Sequence, residues 1–327
     1  MSEQKVVITD YQYETTANEE RVITEAGGTL YPFQCKNEED IIAVAHDAVG
    51  LLVQYRQITP RVLDALHKLQ VISRYAVGVD NIDIAAASEK GIYVANVPDY
   101  CQNEVSDHVI ALLMACFRKL FAAHQFVKNG NWDFKQMKPI HSTCSSVVGF
   151  VGFGMIPRNL APKLKAIGFE LIAYAPRTDQ ETMAHYGVQR VEFKDIFTHS
   201  DFVSLHVPLN ERTRGLIGPS QLAAMKPSAY LINISRGPVV DEAALIDALR
   251  NGEIAGAALD VIEKEPVNPD NPLLKMDNVI ITPHMAWYSE EAQAELQTRA
   301  AENIASVLKG GIPKHCLNQK AIEGKSK

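Results

Sequence analysis

Twice along this chain, short apolar runs alternate with helical stretches, and the second series opens on a strand, a glycine turn and a helix. A short apolar run bounded by turn signals suits a strand buried on both faces. Such strands pair in parallel, and parallel neighbours need a crossover, here a helix. In the first series the runs are 5–9, 49–53, 71–73 and 92–95. In the second they are 147–151, 170–174, 202–206, 230–233, 256–260 and 279–282. The pattern therefore predicts an α/β chain of two doubly wound, Rossmann-like parallel sheets, with a small-molecule site expected in the cleft between them.

The helices add detail. Thr59 caps a helix that starts at Pro60, because a threonine oxygen can accept a free N–H and proline suits the first turn. A longer helix is predicted from about Asn103 to Lys128. Its apolar residues (Val109, Ile110, Leu112, Leu113, Cys116, Leu120) are too many for one stripe. A helix apolar nearly all round is buried, either within its own chain or against a second copy, and a homodimer is the expected partner arrangement. The last helix, from about Ser289 to Leu308, is expected to cross back onto the first series. That makes residues 1–100 and 289–327 a flavodoxin-like substrate domain and residues 101–288 a dinucleotide-binding domain. The hinges fall near 97–100 and at Tyr288.

Bulk properties exclude several classes. The 327 residues are 46% hydrophobic and 22% charged, with a net charge of −7. An acidic balance argues against a nucleic-acid partner. No apolar run is long enough to cross a membrane, and the N-terminus has no signal-peptide pattern. Cys35, Cys101, Cys116, Cys144 and Cys316 are scattered and odd in number, which suits reduced thiols in a cytoplasmic protein. No cluster has metal-ligand spacing, so no metal is inferred.

The glycine turn, Gly149-Phe-Val-Gly152-Phe-Gly154, has the strand before it and the helix after it that a dinucleotide site requires. Gly152 permits the turn. Gly154 lets backbone N–H groups reach a pyrophosphate at the helix N-terminus, with Phe153, Met155 and Ile156 completing the expected contact segment. Two positions depart from the fingerprint. Pro157 stands where a third glycine is usual, and a proline is tolerated in a first turn. Ala175 stands where an acid would hold the ribose of NAD, and Arg177 follows shortly. Without a repelling carboxylate, and with an arginine to pair with a 2′-phosphate, NADP is favoured over NAD. The alternative is a solvent-facing Arg177 with NAD bound less tightly.

Three later stretches carry reactive groups: Asn-Ile-Ser-Arg236-Gly, Asp260-Val-Ile-Glu-Lys-Glu265-Pro and Thr-Pro-His284-Met-Ala-Trp287. An arginine can hold a carboxylate in bidentate fashion. A histidine can move one proton near neutral pH. With a dinucleotide site, these are the parts needed to move a hydride to or from a 2-hydroxy acid.

Four ordered blocks carry a resemblance: Arg74-Tyr-Ala-Val77-Gly78-Val-Asp-Asn-Ile-Asp, the Gly152/Gly154 turn, Asn233-Ile-Ser-Arg236-Gly, and Asp260…Glu265-Pro with Thr282-Pro-His284. Over nearly its whole length the chain resembles the D-isomer-specific 2-hydroxyacid dehydrogenases. Ala-Trp287-Tyr-Ser, and Asn96-Val-Pro98 followed by Val105-Ser-Asp107, look most like the branch of the C-terminal-binding protein corepressors and their bacterial enzyme relatives. The resemblance implies reduction of a 2-oxo acid to an (R)-2-hydroxy acid. Arg236 would hold substrate, His284 would give the proton, and Glu265 would orient His284, with Pro266 distinguishing Glu265 from the nearby Glu263. It further implies carboxylate contacts from Val77, Gly78 and Arg74, a pocket wall from Trp287, and a nicotinamide and ribose lining from His206, Pro208, Thr213, Ile234 and Asp260. Other readings are a surface Arg236, a core histidine at His206, hinge packing at Trp287, and Asp260 capping the loop after its strand. Trp287 favours an apolar or aromatic-like substituent over a phosphate. The competing functions are a phosphoglycerate or glyoxylate/hydroxypyruvate-type dehydrogenase and, in another class, a nucleotide-sensing binding protein without turnover.

Overall fold

The strands form where the apolar runs predict them, and every pairing between them is parallel. The structure is a computed structural model and describes residues 4–324. It divides into two compact units: one holds the chain up to Tyr100 and resumes at Ser289, and the other is Cys101–Tyr288.

The first unit contains β1 (Gln4–Ile8), β2 (Gly28–Pro32), β3 (Gly50–Val53), β4 (Val71–Arg74) and β5 (Tyr93–Ala95), in the order β2-β1-β3-β4-β5. This is the flavodoxin-like order of a doubly wound sheet. β3 and β4 are buried along their whole length, as central strands covered on both faces should be. β2 escaped the sequence reading. Its Gly-Thr-Leu-Tyr-Pro is an edge strand with no buried residue, so it lacks the continuous apolar run that marks its neighbours. Thr59 caps the Pro60–Ala65 helix, its hydroxyl oxygen accepting from the N–H of Val62. Ser289 likewise caps Glu290–Leu308, and that helix lies in this unit. There Gln297 donates to the buried Glu19, and Asn303 to Ser73 Oγ.

The second unit contains β6 (Val147–Val151), β7 (Glu170–Tyr174), β8 (Gln189–Arg190), β9 (Phe202–Leu205), β10 (Tyr230–Asn233), β11 (Gly256–Leu259) and β12 (Val279–Ile281), in the order β12-β11-β10-β9-β6-β7-β8. Renumbered from its first strand, the sheet reads 7-6-5-4-1-2-3, the dinucleotide-binding order with one strand added at its far edge. The two-residue, exposed β8 is too short to leave a pattern in sequence.

The long helix predicted over 103–128 is two helices, Gln102–Phe117 and Leu120–Lys128, bent by 55°. Lys119 between them adopts a left-handed φ of 52°, which ends the first helix. The first supplies Val109, Leu112, Leu113, Cys116 and Phe117 to a core shared with Phe150 of β6 and Leu160 and Leu164 of Met155–Ile167. The second has no buried residue, and Leu120, expected inside, is 56% exposed. Among the described residues no single helix is long and apolar enough to cross a membrane; only this bent pair reaches that composition together.

Candidate active site

The candidate residues of the second unit gather just past the carboxyl ends of its strands, where a parallel sheet leaves a crevice for ligands. After β6 the chain turns at Gly152, which has φ +98° and donates its N–H to Tyr174 O at 2.8 Å. A β-carbon there would stand 2.4 Å from the carbonyl oxygen of His206, so only glycine fits. Gly154 caps the Met155–Ile167 helix, and a β-carbon on it would meet nothing within 4 Å. That opening faces a helix N-terminus with free N–H groups, so the residues present fit the pyrophosphate of a dinucleotide. Pro157 is the third residue of the helix, where a missing N–H breaks no intrahelical bond. Met155 is 45% exposed at the turn. Phe153 turns its side chain into the unit. It is buried and set edge-on to Tyr186 at 5.8 Å, so only its backbone remains for the cofactor. Ala175 is buried after β7, whereas Pro176 and Arg177 are exposed.

His206 is the first residue beyond β9. Its Nε2 lies 2.8 Å from Ser204 Oγ, its Nδ1 is buried without a partner, and its ring meets Phe150 edge-on. Although part of the residue reaches solvent, burial of the imidazole pushes its pKa down to about 3. The ring is therefore neutral and belongs to the core, while the backbone carbonyl closes on Gly152. Thr213 donates its hydroxyl to Pro208 O at 2.6 Å and accepts from Asn210 N, so it closes its own loop. Ile234 packs partly buried against the core of the unit.

Arg236 lies three residues past β10 on a turn built by Asn233, which sequence reasoning did not single out. The fully buried Asn233 accepts from the N–H and hydroxyl of Ser235 and donates to Arg236 O at 2.9 Å. Next to it, a β-carbon on Gly237 would fall 1.7 Å from Ile262 O. This close backbone approach sets the arginine turn against the segment that carries Glu265. Glu242 accepts from Glu263 N and Asn271 Nδ2 and holds that segment from the other side. Glu263 is thus tied by its backbone, and it is Glu265 that reaches the histidine: its Oε2 lies 2.6 Å from His284 Nδ1. Both side chains remain more than a third exposed.

His284 has a left-handed φ of 52°, a costly conformation for a residue with a β-carbon. Asp260 holds the loop in it. The main-chain oxygen of Asp260 accepts from His284 N, and its carboxylate accepts from Thr282 Oγ1, Met285 N and Ala286 N. Asp260 is 2% exposed. Both carboxylate oxygens thus accept from the loop. Trp287 donates its indole N–H to His284 O at 3.0 Å and stands partly buried beside Tyr288.

Arg74, the last residue of β4, and Val77 and Gly78, just beyond it, belong to the first unit. Val77 is 42% exposed, and Asn96 Nδ2 holds its carbonyl at 2.5 Å. Arg74 is only 8% exposed and donates to Gly78 O. It braces its own loop.

A dinucleotide turn, an arginine and a carboxylate-held imidazole on one parallel sheet define a nicotinamide-dependent oxidoreductase. Comparison with known proteins narrows the class. The sequence model described as the NAD binding domain of D-isomer specific 2-hydroxyacid dehydrogenase matches residues 110–286. The chain is 40% identical to a glyoxylate reductase of Korarchaeum cryptofilum over 81% of each protein. It is 38% identical to a D-3-phosphoglycerate dehydrogenase of Methanocaldococcus jannaschii over 97% of this chain but only 60% of that one. Among solved structures, D-lactate dehydrogenase from Aquifex aeolicus complexed with NAD and lactic acid superposes with a TM-score of 0.86 at 26% identity, covering 98% of each chain. The chain belongs to the D-isomer specific 2-hydroxyacid dehydrogenase family, whose members interconvert 2-oxo acids and D-2-hydroxy acids with a nicotinamide cofactor.

Proposed function

We propose that this chain reduces a small 2-oxo acid without a phosphate to its (R)-2-hydroxy acid, with NADPH as the preferred donor and a homodimer as the working form. The observation that carries the catalytic part is the 2.6 Å contact between Glu265 and His284 Nδ1. It leaves Nε2 as the ring nitrogen able to give a proton to the carbonyl oxygen. Arg236 holds the substrate carboxylate and steadies the negative charge that develops on that oxygen. The bound dihydronicotinamide supplies the hydride, so hydride and proton together account for the alcohol formed. The Cys101–Tyr288 unit is read as the dinucleotide domain. The first unit is read as the substrate domain, with backbone N–H groups of Val77 and Gly78 as further carboxylate donors.

Support for NADPH comes from the buried Ala175, which offers no charge against a 2′-phosphate, and from the exposed Arg177. Support for an unphosphorylated substrate comes from Trp287, fixed to the histidine loop, and support for a small one from the match to a glyoxylate reductase over most of both proteins. Five free cysteines suit a reducing, cytoplasmic setting. The test is the initial rate with NADPH and NADH against glyoxylate, hydroxypyruvate, and branched and phenyl-substituted 2-oxo acids. Turnover of the small acids with NADPH, reduced about tenfold in kcat/KM by Arg177→Ala, supports the reading. Dinucleotide binding without turnover of any acid overturns it in favour of a nucleotide-sensing protein.

A further inference from the structure

The geometry points to His108, a residue of the Gln102–Phe117 helix with no role assigned above, as a positioning residue for His284. His108 Nε2 lies 3.0 Å from Thr282 Oγ1 and 3.6 Å from Asp260 Oδ1. Its side chain is 17% exposed and that of Asp260 is 1% exposed, so the contact is shielded from water. The direction of each hydrogen bond follows from the donors available. Thr282 has one hydroxyl hydrogen, and the 2.6 Å contact with the carboxylate oxygen of Asp260 takes it, since an ionised carboxylate can only accept. Toward His108 the threonine oxygen can therefore only accept, and His108 Nε2 must carry the hydrogen. The chain of donors runs from His108 to Thr282 to Asp260.

Asp260 passes the constraint on. Its Oδ1 and Oδ2 receive the N–H groups of Met285 and Ala286, and its main-chain oxygen receives that of His284. Those bonds hold His284 at a φ of 52°, a backbone state that persists only where the surroundings over-determine it. If His108 is removed, Thr282 Oγ1 loses its buried donor. The hydroxyl can then rotate, and the carboxylate that clamps the 284–286 turn loses its fixed orientation. A proton donor displaced by a fraction of an ångström is a poor one, because transfer requires near-ideal hydrogen-bond reach. His108 touches neither proton donor nor substrate in this chain of contacts and acts only through the loop.

This inference rests on His284 being the proton donor, and the experiment separates the two. His108→Ala, His108→Gln, Thr282→Val, the His108→Ala/Thr282→Val double variant and His284→Ala are compared by kcat, KM for the 2-oxo acid and Kd for NADPH. Removing either link should lower kcat about tenfold while leaving KM and Kd within about twofold. The double variant should be no more than about twofold below the worse single, because both act through one carboxylate. Glutamine, whose amide nitrogen can replace Nε2, should recover most of the loss. Simple loss of packing would give two defects that multiply and no rescue by glutamine; that result, or wild-type kcat in either single variant, overturns the inference. Should His108→Ala fail to fold, Thr282→Val and His108→Gln still decide it by the same criteria. An inactive His284→Ala beside a fully active His108→Ala removes the relay alone, whereas a fully active His284→Ala removes the catalytic reading and the relay with it.

Discussion

A β-carbon placed on Gly152 would stand 2.4 Å from the carbonyl oxygen of His206, and one placed on Gly154, two residues later, would touch nothing. The two glycines of one turn therefore have different physical reasons. Gly152→Ala meets a rigid backbone atom and also forces alanine to a φ of +98°, so the unit should lose roughly 3 kcal/mol or more. Gly154→Ala should leave thermal stability unchanged and weaken dinucleotide binding about tenfold or more, because its methyl enters the open space where the pyrophosphate is proposed to lie. Thermal melts with NADPH fluorescence titrations on both variants check this. Equal effects of the two substitutions on stability would contradict it.

The pairing of Glu265 with His284 gives a second expectation. Glu265→Gln keeps the shape and an acceptor oxygen but removes the charge that complements a protonated imidazole. His284→Ala removes the proposed proton donor itself. Turnover should fall about tenfold in the first and about a hundredfold or more in the second, with NADPH affinity unaltered in both. Steady-state rates together with cofactor titration decide it, and a Glu265→Gln enzyme slower than His284→Ala would reverse the proposed order of roles.

Most of this arrangement could be read in the sequence because strand ends announce themselves. Arg236, Glu265 and His284 follow apolar runs, and the structure puts them past β10, β11 and β12. What could not be read are groups whose importance lies in what they touch. Asn233 looks like a polar strand terminus until its side chain is seen to build the Arg236 turn. Asp260 has the same one-dimensional signature whether or not its carboxylate holds the histidine loop, and only the three bonds to that carboxylate show that it does. Arg74 likewise gives no sign in the sequence that it is buried and donates to Gly78 O. The break at Lys119 has no proline or glycine to announce it; a lysine takes the left-handed conformation there.

The buried ring of His206 should make stability depend on pH. Its folded pKa, about 3, lies below the ordinary value of 6.5. As pH falls through 6.5 the unfolded chain takes up a proton that the folded chain refuses, so stability present above about 6.5 is lost progressively toward about 3. His206→Gln keeps a polar atom for Ser204 and cannot titrate. Between pH 7.5 and pH 5 the wild type should lose about 2 kcal/mol more than this variant, from roughly 1.5 pH units below 6.5 at 1.36 kcal/mol each. Urea denaturation at the two pH values measures the difference, and parallel losses in both proteins would show that the ring is protonated in the folded state.

The Leu120–Lys128 helix buries none of its residues, yet it and the segment that follows are rich in apolar side chains. Leu120, Phe121, Trp132 and Phe134 are 56%, 61%, 88% and 74% exposed. Monomers seldom leave a patch of large apolar groups open to water, and aromatic side chains contribute most to the cores of protein interfaces. The proposed homodimer would cover these side chains with the same ones from a second copy. Phe121→Glu combined with Trp132→Glu replaces two of these exposed aromatics by charges, which an interface could bury only at strong cost. Sedimentation equilibrium at micromolar protein should therefore give a dimer for the wild type and a monomer for the double variant. A wild type that sediments as a monomer would leave these aromatics without the partner argued for them.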